Sequence, residues 1–221
     1  MGKVQELRHT AYDGRDPKHV AALAKVRNRD INRRPGRHIV LIVGDRYHAQ
    51  LWRNLKGTTA TAKTTPTTIT TTSPPPVPSQ EWKELGFQGT DPATDFRGMG
   101  IFALHQLEHF SQSPSTRRIY QEAQYGPCWY SFAVIGINAS ATIVEWLQAG
   151  LLDDLLHSHG GGAEDVAGRL ALLHTVYAQL MLEFHHKWLQ ACPANLFAFN
   201  DIFAAAKEVL AAALRVARPA I

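Results

Sequence analysis

The residues best suited to chemistry lie in the run Trp82-Lys83-Glu84-Leu85-Gly86-Phe87-Gln88-Gly89-Thr90-Asp91-Pro92-Ala93-Thr94-Asp95-Phe96-Arg97-Gly98-Met99-Gly100. Arg97 is a permanently charged, planar group carrying five donors. Gly98 and Gly100 follow it and lower the steric barrier to unusual backbone angles and to close approach by a second molecule. An arginine so placed can be pushed into another molecule's site. It can equally close on Asp91 or Asp95 as an internal ion pair, and residue types alone leave both uses open. Asp91-Pro92 and Thr94-Asp95 are turn and cap residues, and Thr94 or Asp95 could accept from the free amides of a helix starting just beyond.

The elements that must hold this run read as helices. Ile101, Leu104, Leu107 and Phe110 give a first helix with one apolar side, broken at Ser113-Pro114-Ser115, and residues 116–124 suggest a second. Gly126-Pro127 is a stop. Residues 130–148 are apolar on most sides, as expected of a buried central helix, and Gly150 suits its end. Gly160-Gly161-Gly162 is a flexible break. Leu173, Val176, Tyr177, Leu180, Met181, Phe184 and Trp188 recur at three- and four-residue spacing, and Pro193 ends that helix. Phe199 to Ala213 marks a last one, with Asn195 or Asn200 able to cap it. The expected fold class is all-α: a single helical bundle domain over residues 80–221.

Ahead of the bundle, residues 1–56 form a basic, partly helical segment and residues 57–79 a Thr/Pro-rich linker. Asp16-Pro17 opens a short helical pattern, and residues 39–43 have strand composition without a partner strand. Ten threonines fall between Thr58 and Thr72, followed by Ser73-Pro74-Pro75-Pro76-Val77-Pro78. Such a stretch cannot bury a core and is expected to be a disordered spacer. The net charge of +4 divides into +8 for residues 1–56, +1 for 57–79 and −5 for 80–221. The basic end could touch acidic lipid, but no nucleic-acid-binding motif accompanies it. No run approaches the roughly 18 apolar residues of a membrane span, and no signal region follows the start. A cytoplasmic protein, peripheral at membranes at most, is expected. Cys128 and Cys192 make neither a disulfide framework nor a zinc set and read as buried structural thiols.

Other constellations are weaker. Among eleven histidines, Glu183 and His186 share a helical spacing near His185, with His157 and His159 as a further pair. A di-metal bundle needs a second Glu-x-x-His, which is missing. The chain also lacks G-x-x-x-x-G-K-[ST] and so is not itself a P-loop hydrolase. No metal and no cofactor are expected.

The run from Trp82 to Leu107 resembles the ELMO (engulfment and cell motility) domain family, in particular the branch acting as GTPase-activating proteins for Arf and Arf-like small GTPases. Trp82, Gly86, Phe87, Gln88, Pro92, Thr94, Asp95, Phe96, Arg97, Gly98, Gly100, Leu104 and Leu107 all stand where that pattern wants them. Residues 130–138 and 193–200 resemble two later blocks, and residues 6–13 resemble the stretch preceding the domain. Residues 32–79 depart from the pattern, which puts the packing of an N-terminal helix in doubt.

The resemblance implies that Arg97 is needed for GTPase activation. GTP hydrolysis builds negative charge on phosphoryl oxygens, and a guanidinium supplied in trans can neutralise it with directed hydrogen bonds. Arg97 could insert directly or hold the surface that orders the GTPase's own groups. Gln88 could orient water, contact a switch loop or tie down the turn. Trp82 and Phe87 are expected as a hydrophobic clasp beneath the loop, and Asp95 as a cap or partner for Arg97. Gly86, Pro92, Thr94, Gly98 and Gly100 complete the partner-binding or loop-supporting set. The implied partner is a GTP-bound Arf-family or Arf-like GTPase, with a transient membrane surface and no nucleic acid. The alternative is a non-catalytic ELMO-type module binding a small GTPase or an exchange-factor partner. The short chain, without helical repeats or a pleckstrin-type domain, favours the first.

Overall fold

A computed structural model describes residues 50–56, 77–159 and 165–216. The helix expected after Asp16-Pro17, the strand-like stretch at 39–43, most of the basic segment, the Thr/Pro stretch up to residue 76 and Gly160-Gly161-Gly162 lie outside the described residues.

Every regular element described is helical. We label the α-helices α1 (residues 50–56), α2 (Gly100–Ser111), α3 (Pro114–Tyr125), α4 (Phe132–Gln148), α5 (Asp153–His159), α6 (Val166–Ala191) and α7 (Phe199–Val216). Three 3-10 turns, Gln80–Leu85, Pro92–Gly98 and Leu196–Ala198, connect them. Helix α6 packs against α2, α4, α5 and α7, and α2 lies against α3 and α4. Phe132, Phe110 and Tyr177 interlock where α2, α4 and α6 meet, with Phe110 5.9 Å from Tyr177 and 6.3 Å from Phe132. Phe199 and Phe203 dock α7 onto Phe184 at 5.9 and 5.6 Å.

Local signals account for most boundaries. Pro114 occupies the first turn of α3, where a missing N–H costs nothing. Asp165 caps α6 by accepting from the Gly168 amide at 2.8 Å. Asn195 caps the short Leu196–Ala198 turn through the Phe197 amide at 3.0 Å, rather than capping α7 itself.

Helix α4 begins at Phe132, two residues later than the apolar run suggests. Tyr130 is spent on another bond, its amide donating to the Ala123 carbonyl at 2.7 Å. The Val134 amide, an orphan of the first turn, donates to the Gly86 carbonyl at 3.3 Å. The start of α4 is therefore fixed by the loop that carries the arginine run.

Helix α1 belongs to the same core despite the Thr/Pro stretch that follows it. Leu51, Trp52 and Leu55 are buried, and the Trp52 ring meets Trp82 edge-on at 5.6 Å. The Arg117 guanidinium donates twice to the Asn54 carbonyl, at 3.2 and 3.1 Å, satisfying an orphan acceptor at the helix end. Lys56 pairs with Glu84 and also lies against Tyr125. Of the N-terminal packing that the insertion put in doubt, the part made by residues 50–56 is present.

The cysteines correct the sequence reading. Cys128, just before α4, and Cys192, which caps the C-terminus of α6, form a disulfide with Cα atoms 5.0 Å apart. Cys128 is buried as expected, but Cys192 is exposed and takes a left-handed backbone, φ 35°. The two lie 64 residues apart with no spacing motif, so only the helix arrangement brings them together.

Candidate functional site

The arginine run folds as two 3-10 turns joined by an ordered loop. Ser79 caps the first, accepting from the Glu81 amide at 3.2 Å, and Gly86 ends it in the left-handed region, φ 87°. A Cβ at Gly86 would come within 2.4 Å of the Phe132 backbone nitrogen, so both backbone angle and space demand glycine. The Ser79 amide donates to the Thr90 carbonyl at 2.9 Å and closes the loop on itself.

Asp91 starts the second turn. Its carboxylate accepts from the Ala93 amide at 2.9 Å, Pro92 fills the first position, and the Thr94 hydroxyl donates to the Asp91 carbonyl at 2.8 Å. Asp95 reaches back across the loop and accepts from the Gln88 amide at 2.6 Å. Thr94 and Asp95 thus brace the loop internally and do not cap α2, whose start at Met99 has no side-chain cap. The signal was present in Asp91-Pro92, a cap followed by proline, which is the same signature read at Asp16-Pro17.

Beneath the loop the rings form a continuous row. Trp82, Phe87 and Phe96 are buried, with Trp82 6.3 Å from Phe87 and Phe87 5.7 Å from Phe96, both edge-on. Trp52 extends the row from α1. Edge-to-face contacts of this kind add roughly 0.5–1.5 kcal/mol each beyond area burial. The Pro92–Gly98 turn is seated on α2 and α4.

Arg97 follows Phe96 and points away from this base. Its side chain is exposed, and among the described residues no hydrogen bond or ion pair engages the guanidinium. Asp95 accepts from the Gln88 amide and Asp91 from the Ala93 amide, and among the described residues neither pairs with Arg97. Gln88 is exposed, tied through its backbone and not through its side-chain amide. Gly98 is exposed, and a Cβ there would meet nothing within 4 Å. Gly100 turns the chain into α2 at φ 53°. Trp82, Phe87, Phe96 and Pro92 therefore form a rigid floor, while Gln88, Arg97 and Gly98 lie on its outer surface. Chemically, the arrangement offers a cation uncommitted among the described residues, on a braced turn with open space beside Gly98.

The histidines are placed differently from the sequence candidates. His185 is buried and spends both ring nitrogens, Nδ1 against the Tyr130 hydroxyl and Nε2 against Glu122, each at 3.0 Å. His157 Nδ1 lies 2.6 Å from the Asp153 carbonyl. Among the described residues no group of three or more His, Cys, Asp or Glu side chains could hold a metal ion. A seam that sequence reading missed runs between α2 and α6. There the Gln106 side-chain Oε1 accepts from His174 Nδ1 at 2.6 Å, and His109 stacks on His174 at 4.0 Å. Its only sequence trace is the polar interruption of an apolar face at Gln106.

Burial, reinforced by the neighbouring His109, lowers the pKa of His105 from 6.5 to about 4 and that of His174 to about 3. Both are therefore neutral in the fold at pH values where the unfolded chain takes up protons. Their contribution is complete above about pH 6.5 and is lost as pH falls toward 4, at up to about 1.4 kcal/mol per pH unit for each. The melting temperature should fall steadily over that window, and His174→Asn should flatten the slope. A melting temperature independent of pH from 6.5 to 4 would contradict this account of the seam.

Comparison with known proteins assigns the fold to a family. The ELMO/CED-12 family model matches residues 2–203, and the chain belongs to that family. It is similar to ELMO domain-containing protein 1 of Pongo abelii, 27% identical over 91% of this chain and 55% of the relative. It is also similar to ELMO domain-containing protein 2 of Mus musculus, 33% identical over 55% of this chain and 41% of the relative. ELMO domain-containing protein B of Dictyostelium discoideum is 33% identical over 56% of this chain and 42% of its own length. The chain spans about half the length of the curated relatives it matches. No solved structure matches it. Among the described residues no helix is long and apolar enough to cross a membrane.

Proposed function

We propose that this ELMO domain stimulates GTP hydrolysis by an Arf or Arf-like small GTPase, with Arg97 supplied in trans to the nucleotide site. The observation that carries the reading is the exposed Arg97 guanidinium, uncommitted among the described residues, on a turn braced by Asp91, Thr94 and Asp95. A side chain held so needs little reorganisation to meet charge developing on a partner's phosphoryl oxygens. Gln88 and Gly98, exposed on the same loop and turn, supply a polar contact and clearance for the GTPase surface. The GTP-bound state is the partner, because the cation is of use only where a phosphoryl group is about to leave. The loop's other members, Trp82, Gly86, Phe87, Pro92 and Gly100, act by support.

Single-turnover GTP hydrolysis against a panel of Arf-family proteins tests the reading. The full chain should accelerate at least one member. Binding without acceleration across the panel would assign the surface to a non-catalytic module instead.

Gly98 separates partner clearance from a structural need. Nothing surrounds its Cβ position, so Gly98→Ala and Gly98→Leu should change folding stability by no more than about 0.5 kcal/mol. Gly98→Leu should nevertheless lower stimulation by roughly tenfold or more, since a misplacement near 1 Å can cost a hundredfold. Full stimulation by Gly98→Leu would show that the GTPase does not approach this position.

A further inference from the structure

We propose that Cys192 is a thiol-exchange site, at which a small intracellular thiol such as glutathione opens the Cys128–Cys192 disulfide and becomes covalently attached. Three observations place the reaction at Cys192 and not at its partner. Cys192 is exposed, whereas Cys128 retains 8% of its accessibility. Cys192 also lines a cleft of about 180 Å³ formed with Pro127, Trp129, Pro193 and Leu196, and Cys128 does not. Finally, Cys128 is fixed from the inner side, its carbonyl accepting from the Trp188 indole N–H at 3.0 Å. Access decides which sulfur of a disulfide is attacked, and Cys192 is the more exposed of the two residues and the one that lines the cleft. The cleft gives the incoming thiol a place to sit, with the Trp129 ring, 54% exposed, on its wall.

The step balances without an external oxidant. A glutathione thiolate attacks Cys192 Sγ, a new sulfur–sulfur bond forms there, and the Cys192–Cys128 bond breaks. The bonding pair leaves on Cys128 Sγ, which takes a proton. A second glutathione thiolate can attack the glutathione sulfur of the mixed disulfide, releasing oxidised glutathione and the Cys192 thiolate. The protein disulfide is thereby reduced by two electrons and two glutathiones are oxidised.

The opened state has a structural consequence. The disulfide ties the end of α6 to the segment before α4. It also anchors the start of residues 193–198, where Leu196 is exposed and Phe197 is 91% exposed. Thiol attachment at Cys192 unties the end of α6 from the segment before α4 and places a charged tripeptide beside the Trp129 wall of the cleft. The reaction is independent of the activity proposed for Arg97.

The test is peptide mapping of the full chain, held under native conditions in glutathione redox buffers, acid-quenched and alkylated. The protein before reductant should contain no alkylatable thiol. Across the transition, glutathione should be found on Cys192 over Cys128 by about tenfold or more, as accessibility dictates. Cys128→Ser should take up glutathione from oxidised glutathione while folded, and Cys192→Ser should do so only once unfolded by guanidinium. Circular dichroism confirms that each variant is folded, and the wild-type mapping stands without them. Equal labelling of the two cysteines, a disulfide that opens only on unfolding, or two free thiols in the protein before reductant would each overturn the proposal.

Discussion

Arg97→Ala should abolish the stimulation of GTP hydrolysis while leaving the fold intact. An arginine supplied in trans to a GTPase is worth on the order of 10³–10⁵ in rate, so the loss should be roughly a thousandfold or more. Arg97→Lys should fare little better, because an ammonium keeps the charge but loses the planar fork that meets two phosphoryl oxygens at once. Neither change should alter stability by more than about 0.5 kcal/mol. The side chain is exposed, and no described partner is left unsatisfied by its removal. Single-turnover hydrolysis and thermal melting, measured on the same samples, check both halves. Unfolding by Arg97→Ala would indicate a structural arginine, and full stimulation would remove the arginine mechanism.

Trp82→Ala should give the largest loss of stability near the site. Trp82 is 1% exposed, and its ring bridges Trp52 of α1 to Phe87, which in turn meets Phe96 directly before Arg97. Removing a buried tryptophan costs about 3–5 kcal/mol, because the hole left behind does not fully close. Against a total stability of roughly 5–15 kcal/mol this is a large share, and for a domain of this size it lowers the melting temperature by roughly 6–20 °C. The row of rings is also the floor of the Arg97 turn, so stimulation should fall even at temperatures where the variant remains folded. Trp82→Phe should recover part of both. A Trp82→Ala protein melting within a degree or two of wild type would show that the row carries no weight.

Much of this architecture was written locally. The three- and four-residue spacing through Leu173, Val176, Tyr177, Leu180 and Phe184 specifies α6, and the structure differs chiefly in carrying the helix further at both ends. Gly150 was legible as a helix end and takes positive φ, whereas the left-handed turn at Gly86 was not read from its residue type. The type of Arg97 and the glycines that follow it were legible too. Its exposure was not, because that depends on where Asp91 and Asp95 spend their oxygens. Aspartates near a helix start can serve any of several amides within three residues, and sequence cannot choose among them. Asp91 took the amide two residues on, while Asp95 took one seven residues back.

What the sequence hid is long-range. Cys128 and Cys192 meet only because α6 returns to the start of α4. His174 and Gln106, 68 residues apart, meet only because α2 and α6 pack. Trp52 joins the core across the Thr/Pro stretch, which breaks the local pattern without preventing the contact. In each case the partner is chosen by tertiary packing, and no propensity or spacing within one segment encodes it.

If Arg97 acts as proposed, its guanidinium meets the transferring phosphoryl group of a bound GTPase. Aluminium fluoride with GDP mimics that group, so the most direct measurement is the affinity of the chain for an Arf-family GTPase loaded with GDP, with and without aluminium fluoride. The complex should tighten markedly when aluminium fluoride is added, and an Arg97→Ala chain should lose this gain while still binding the GTP-loaded GTPase. An Arg97→Ala chain that gains as much from aluminium fluoride as the wild type would show that Arg97 does not meet the phosphoryl group.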